Sequence, residues 1–283
     1  MKTLAPTIFL LLFTVISSAQ QRPLQTDDAE TVESGSSSIS FGTDYLNDAK
    51  FPLSGLKGNL TRFADIRMRS AFGSNFELQI EGAVQNFLNI KTRGTSRVPL
   101  SFTGSSTNDW DDFIMSAKVR LFNESKSAPA IALKLGYQMP NSDQSKGIGT
   151  NQINVFSKLI VQKKFGDVVE GTSKANIYGN LGLGIMNSPL GNFSQNDVVL
   201  YGLAGIFRMS KRVNLATEIN GRMNTRSGSA PVGTESVGQY RLGFQLKAAR
   251  FRFDSAAIFG TTSNSPRSGI TFGVTYFSPK LFK

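Results

Sequence analysis

The charged side chains fall at alternate positions, and that spacing is the only chemical device the chain offers. Asp65, Arg67 and Arg69 share one parity, as do Glu77, Gln79 and Glu81, then Lys118 and Arg120. Covalent chemistry has little to work with, because all 283 residues include no His and no Cys. A Ser-His-Asp hydrolase, a Cys-His protease and a His-ligated zinc or haem site all need an imidazole. A disulfide framework, a thiolate nucleophile and an iron–sulfur cluster all need cysteine. The expectation is a protein that is not an enzyme, with no catalytic residue, metal or cofactor. Charges repeated along one face act on solutes electrostatically, by setting which ions enter a passage.

The elements that position those charges have period two. In Phe76–Phe87 the residues Phe76, Leu78, Ile80, Gly82 and Val84 alternate with Glu77, Gln79, Glu81 and Gln85. Successive side chains of a strand point to opposite faces, so the segment has one apolar and one polar face. The pattern recurs in Ala64–Phe72, Phe113–Leu121, Ile131–Met139, Ile153–Phe165, Ala175–Ile185, Val213–Met223, Tyr240–Leu246, Phe251–Phe259 and Ile270–Tyr276. A weaker strand is Ile39–Tyr45, and in Tyr201–Met209 both faces are apolar, which leaves its orientation open. These are twelve strands, an even number as in bacterial barrels with both termini on one side of the membrane.

Short joins (Gly73–Asn75, Ser210–Arg212, Ala249) take turns with longer ones, of which Leu88–Asp109 is the longest. Short periplasmic turns and long extracellular loops are the habit of outer-membrane barrels, so the expected fold is all-β, a transmembrane antiparallel up-and-down barrel of about twelve strands. A secreted β-sandwich also alternates, but its strands average five or six residues, whereas these approach the 9–11 needed to cross a bilayer. Half of each strand faces lipid and half faces water, which accounts for 40% hydrophobic residues without long apolar runs beyond the start.

That start is distinct. Lys2, the apolar run Leu4–Ile16 and Ser17-Ser18-Ala19 have the form of a secretory signal peptide cleaved after Ala19, since the run is too short for a spanning helix. Removing it lowers the formal charge from +11 to +10. Residues 20–37 are polar, acidic and poor in apolar groups, and are expected to form a flexible tail, with the barrel over 38–283.

If the apolar parity faces lipid, the other lines the lumen. The lumen-lining candidates are then Asp65, Arg67, Arg69, Glu77, Glu81, Lys118, Arg120, Lys134, Lys158, Glu218, Arg222, Arg241, Arg252 and Asp254, with Gln79 and Lys247 beside them. Ten of these sixteen are basic and five acidic, so an open lumen would favour anions. Pairing of the same charges across the lumen would instead close it.

Aromatic residues near strand ends, among them Trp110, Phe113, Tyr137, Phe165, Tyr201, Phe251, Phe259, Tyr276 and Phe277, suit the interfacial girdles of a membrane barrel. Phe282, on the parity of Ile270–Tyr276, has the place of a terminal aromatic read by the barrel assembly machinery, although Pro279 and Lys283 depart from that signal. The stretch Gly179–Gly184 lacks the G-x-G-x-x-G spacing and a following helix, so its glycines belong to the wall rather than to a phosphate loop.

Trp110-Asp111-Asp112-Phe113, the strand Ala117–Leu121, Leu133–Asn141 with its Pro140, Gly147-Ile148-Gly149-Thr150 and Tyr178–Gly182 together resemble the phenol meta-pathway family of outer-membrane transporters. The likeness spans about Asp65 to Ile185, and Pro140-Asn141-Ser142 departs from the Pro-Thr-Gly often found there. The resemblance implies an outer-membrane β-barrel without catalytic residues.

The expected function is passive passage of small, anionic or aromatic solutes across the outer membrane of a Gram-negative bacterium. The alternative is a non-conducting barrel that acts through its outer loops. Expected partners are outer-membrane lipid and lipopolysaccharide, the assembly machinery and small solutes, with no nucleic acid, because the basic residues are dispersed over many strands.

Overall fold

A computed structural model describes residues 22–167, 173–190 and 195–281. Residues 1–19, read as a signal peptide, and Phe282 lie outside the described residues.

The described residues form thirteen antiparallel strands: β1 (Ser37–Phe51), β2 (Leu56–Ala71), β3 (Phe76–Arg93), β4 (Ser106–Asp109), β5 (Ile114–Phe122), β6 (Ala130–Gln138), β7 (Asn154–Phe165), β8 (Ala175–Asn187), β9 (Gln195–Arg208), β10 (Val213–Asn224), β11 (Val237–Ala248), β12 (Phe251–Gly260) and β13 (Ser268–Phe277). Neighbours in sequence pair along the sheet, β1 pairs with both β2 and β13, and β3 joins β2 to β5. Twelve strands therefore close into a ring, and β4 hangs on the outer half of β3. The alternation of apolar and polar residues explains the closure: a sheet with an apolar outer face in lipid can leave no edge unpaired.

The outer wall carries large exposed apolar side chains all round, such as Phe41, Phe63, Leu78, Leu135, Leu159, Leu181, Leu203, Phe244 and Phe272. The inner wall buries Asp65, Arg69, Glu77, Lys118, Lys134, Glu218, Arg241 and Arg252. This is an inside-out arrangement relative to a soluble barrel, and it belongs in a bilayer. Among the described residues no helix is long and apolar enough to cross a membrane.

Every strand expected from the alternation is present, but β1, β2 and β3 run further than it suggested. The segment read as the loop Leu46–Asn59 is largely strand, with a turn of only 52–55 between β1 and β2, and of the loop Leu88–Asp109 the strands take in 88–93 and 106–109. The extra residues are held by an apolar cluster at the loop end, where Leu46, Leu56, Leu60 and Leu88 meet Leu100, Phe102 and Ile148 from the connections. The chain after β3 thus folds back onto the mouth, tied by Arg97 N–H to the Leu53 carbonyl and Ser101 N–H to that of Ser145. Burial in the mouth holds the Asp109 carboxyl above its ordinary range, whereas the Ser145 hydroxyl and N–H hold Asp143 below it.

At Ala64, with φ of 49°, β2 is kinked and its inward parity changes. Asp65, Arg67 and Arg69 point inward on one side of the kink and Arg62, Leu60 and Leu56 on the other. The strand whose orientation was open, β9, turns Val198, Ala204 and Ile206 inward and Leu203 outward. Phe277 also faces inward, where the Arg252 guanidinium lies over its ring at 5.3 Å in a cation–π contact, so it is no part of the outer girdle.

Candidate functional site

The lumen is occupied by the chain's own N-terminal residues. The expectation of a flexible tail over 20–37 is corrected for its described part: Arg22, Leu24, Thr26, Asp27, Asp28, Ala29 and Val32 are all buried inside the ring. The composition of the segment is disordered by the usual measure, but that measure assumes water as the surroundings. A lumen lined with cations supplies the counter-charges that water would otherwise replace.

The segment enters beside β2, where Gly35 N–H donates to the Ala71 carbonyl (3.1 Å). It then follows the wall strand by strand. Val32 N–H donates to Glu77 Oε2 on β3 (2.7 Å). Lys118 on β5 donates to Asp28 Oδ1 (2.8 Å), which Arg69 on β2 also reaches (3.1 Å). Glu30 pairs with Lys164 on β7. Lys134 on β6 donates to Asp27 Oδ1 (2.8 Å) and Lys158 on β7 to Asp27 Oδ2 (3.1 Å). Asn180 on β8 accepts from Asp27 N–H (2.7 Å) and donates to the Asp27 carbonyl (2.9 Å). Leu24 packs on Tyr178, Ala204, Ile206 and Ala216. Glu218 on β10 accepts from the N–H groups of Gln25 and Thr26 (2.8 Å each) and from the Thr26 hydroxyl (2.8 Å). Arg241 on β11 donates to the Pro23 carbonyl (3.0 Å).

The circuit ends at Arg22. Its guanidinium pairs with Asp65, lies 3.5 Å from Asp44 on β1 and 3.5 Å from Asp254 on β12, and donates to the Thr271 hydroxyl on β13 (2.9 Å). In little more than a dozen residues the segment touches each of the twelve wall strands.

Two facing glycines make the seat for Arg22. Gly42 and Gly273 are register partners on β1 and β13, and the guanidinium lies close against both. A Cβ at Gly42 would overlap the guanidinium, and one at Gly273 would stand 2.6 Å from Arg22 Nε. Gly42→Val should therefore unseat Arg22 without changing a charge. The expected outcome is faster labelling of a cysteine placed at Gln25 and an intact barrel, and unchanged labelling would show that the seat does not hold the segment.

All fourteen sequence-predicted lumen residues lie on the inner wall, but they divide by task. Arg69, Glu77, Lys118, Lys134, Lys158, Glu218, Arg241 and Asp254 bind the segment directly, and so do Asp65 through Arg22 and Arg67 through the Leu24 carbonyl (3.0 Å). Arg252 stacks on Phe277. Arg120 is spent on the β2–β3 turn, donating to the Ser74 carbonyl (2.5 Å), and Arg222 on a loop, donating to the Glu235 carbonyl (3.0 Å). Glu81 lies 3.5 Å from Lys134 and 3.8 Å from Arg67.

The alternation did not point to Arg22, Asp27 and Asp28, which lie in the presumed tail, nor to Asp44. Arg62 was missed because only the kink at Ala64 turns it inward, where it pairs with Asp111 (2.6 Å). Above the segment, towards the long loops, a cavity of about 360 Å³ remains, lined by Gln25, Thr26, Arg62, Asp65, Arg67, Glu81, Asp111, Asp112, Lys158 and Arg241 among others. Its four cationic and four carboxylate side chains balance, in place of the electropositive bore that the wall alone implies. Among the described residues no group of three or more acidic side chains is arranged to hold a metal ion.

No protein-family model matches this chain, and no curated protein matches it. Solved structures do. The COG4313 outer membrane channel from Pseudomonas putida F1 superposes with a TM-score of 0.63 at 12% identity, over 90% of this chain and 100% of that one. The likeness is one of fold. LpxR from Salmonella typhimurium (TM-score 0.45, 10% identity, 85% of this chain and 100% of that one) and the Pseudomonas putida toluene transporter TodX (TM-score 0.44, 8% identity, 94% and 98%) align more loosely.

Proposed function

We propose that the protein is an outer-membrane channel for small solutes whose bore is set by its own N-terminal segment. The observation that carries this reading is the seating of Arg22–Ser36 inside a closed, lipid-facing ring, with a solvent cavity left between it and the loops. The fold shared with a bacterial outer membrane channel supports the same location and class. Because the cavity presents four cations and four carboxylates, it suits neutral or zwitterionic solutes better than the anions expected from the wall alone.

Liposome swelling with the intact barrel tests the reading. Slow entry of small sugars and amino acids is expected, at rates above those of protein-free vesicles and not faster for anions. A strong anion preference would sink the balanced cavity, and no entry by any solute would favour the second reading. That reading is a closed barrel acting at its outer surface, and the observation in its favour is the same filled lumen. In either case the membrane, lipopolysaccharide and the assembly machinery are the proposed surroundings of the barrel.

A further inference from the structure

The outer face of β1, β2 and β3 carries a polar and cationic surface just beyond the lipid belt. Tyr45, Thr61 and Phe87 form one row across the three strands, since Tyr45 is opposite Thr61 and Thr61 opposite Phe87. All point outward, as the exposure of Tyr45 and Phe87 shows, and below them lie the apolar Phe41, Phe63 and Phe272. The next row towards the loops is amide: Asn59 stands opposite Asn89, and its Nδ2 donates to the Tyr45 hydroxyl (2.9 Å). With Ser106 and Asn108 of β4 these residues border an outward groove of about 590 Å³.

Beyond the amides come the cations. Lys57 and Lys91 approach the Asp48 carboxylate at 3.8 and 2.9 Å, Arg267 at 3.9 Å, and Lys50 is opposite Lys57 in the β1–β2 register. Three cations thus surround one carboxylate, and Lys50 donates to the Ser263 carbonyl. Their side chains remain accessible: Lys57 is 40%, Lys91 47% and Arg267 82% exposed. Lys57 is four residues past Thr61, roughly 13 Å along the strand at ~3.3 Å per residue, and less along the membrane normal once the strand tilts.

An apolar belt, a groove of aromatic rings, hydroxyls and amides, and a cluster of ammonium and guanidinium groups occur in that order along the wall. Acyl chains, a sugar and phosphate groups occur in the same order in one class of molecule. Aromatic faces and amides suit a sugar ring, and several cations about one site suit phosphate. We propose that this face binds a phosphorylated glycolipid of the outer leaflet, with its phosphates at Lys50, Lys57, Lys91 and Arg267 and its sugar in the groove at Tyr45 and Asn59. The inference rests on the outer-membrane location given above. Asp48 is the one group that opposes it, and it keeps the cations gathered when no lipid is bound.

The test is native mass spectrometry of the detergent-solubilised full barrel, titrated with Kdo2-lipid A, with its dephosphorylated form and with phosphatidylglycerol. One Kdo2-lipid A per barrel is expected. Each cation near the surface contributes about fivefold, so Lys57→Gln, Lys91→Gln and Arg267→Gln together should weaken binding on the order of a hundredfold. Asp48→Asn should tighten it by about fivefold. Dephosphorylated lipid should bind as weakly to the parent barrel as Kdo2-lipid A does to the triple variant. Lys126→Gln with Lys174→Gln, on the periplasmic turns, should change nothing. Equal loss in that control pair, or phosphatidylglycerol bound as tightly as Kdo2-lipid A, would overturn the site. Each sample is also run unboiled and boiled on a gel: a heat-shifted band with no lipid bound refutes the site alone, whereas absence of the shift refutes the barrel reading beneath it.

Discussion

Deleting Arg22–Ser34 should open the barrel and raise its single-channel conductance at least about tenfold, the largest functional change expected of any alteration to this chain. The magnitude follows from geometry. Twelve strands ~4.8 Å apart and tilted by ~40° close into a ring roughly 24 Å across at the backbone. Lining side chains take up about half of that width, which leaves room for a hydrated passage, and the segment fills this room. The wall cations Lys118 and Lys134 would lose Asp28 and Asp27 but gain water, so the ring should survive, melt at a lower temperature and still shift on boiling. The deletion should also change selectivity. Without the carboxylates of Asp27, Asp28 and Glu30, the inner wall returns to its basic excess, and the opened pore should prefer chloride to potassium. Planar-bilayer recordings with a salt gradient measure both quantities. A deleted barrel that conducts no better than the parent would mean that the wall charges themselves, or the folded loops, close the lumen.

The second large effect concerns one carboxylate. Asp27 is 1% exposed and meets Lys134, itself 1% exposed in its side chain, at 2.8 Å. Lys158, at 3.1 Å, keeps 22% exposure and can return to water, but Lys134 would retain only Glu81 at 3.5 Å. Removing one partner of a buried pair costs about 3–5 kcal/mol, because the other charge is left without compensation. Asp27→Ala should therefore shift the docking equilibrium of the segment by two to three orders of magnitude. The native chain has no cysteine, so a single thiol at position 26 reports on docking without background. In the parent it should react slowly with a hydrophilic thiol reagent added from outside, and in Asp27→Ala quickly. Replacing both partners, Asp27→Leu with Lys134→Met, should restore slow labelling, since an apolar pair of similar size needs no counter-charge. Labelling that is equally slow in all three would show that Asp27 does not hold the segment in place.

How far the sequence speaks depends on which face of the wall is asked. The outer face is read directly: residues such as Leu78 and Ile80, alternating with Glu77 and Gln79, meet lipid and leave no choice of register, because a slip of one residue would put Glu77 in the hydrocarbon. The twelve strands and the inward charges were legible for that reason. The inner face is read poorly, because its partners lie far away along the chain. The acidic run Asp27, Asp28 and Glu30 and the basic parity Arg69, Lys118, Lys134, Lys158 and Lys164 are each visible, but no local rule joins them across separations of 41 to 134 residues. Their opposite signs were the one available signal. The apolar inner patch of β9, where Ala204 and Ile206 receive Leu24, was visible as broken alternation and had no meaning until its guest was placed. Arg62 depended on a kink at Ala64 that nothing in the residue type announces.

The strand-by-strand circuit has a consequence for how the molecule is made. Arg22 is near the start of the chain, but its partners Asp254 and Thr271 are near the end, and Asp44 and Asp254 flank it only after β13 has joined β1. Loop-closure entropy must be spent on that join before the contacts can form. The first described residues to leave the ribosome are thus the last to find their native places. The segment acts as a latch that engages only a ring already complete, and a barrel with a slipped or missing strand would present it with a broken set of partners.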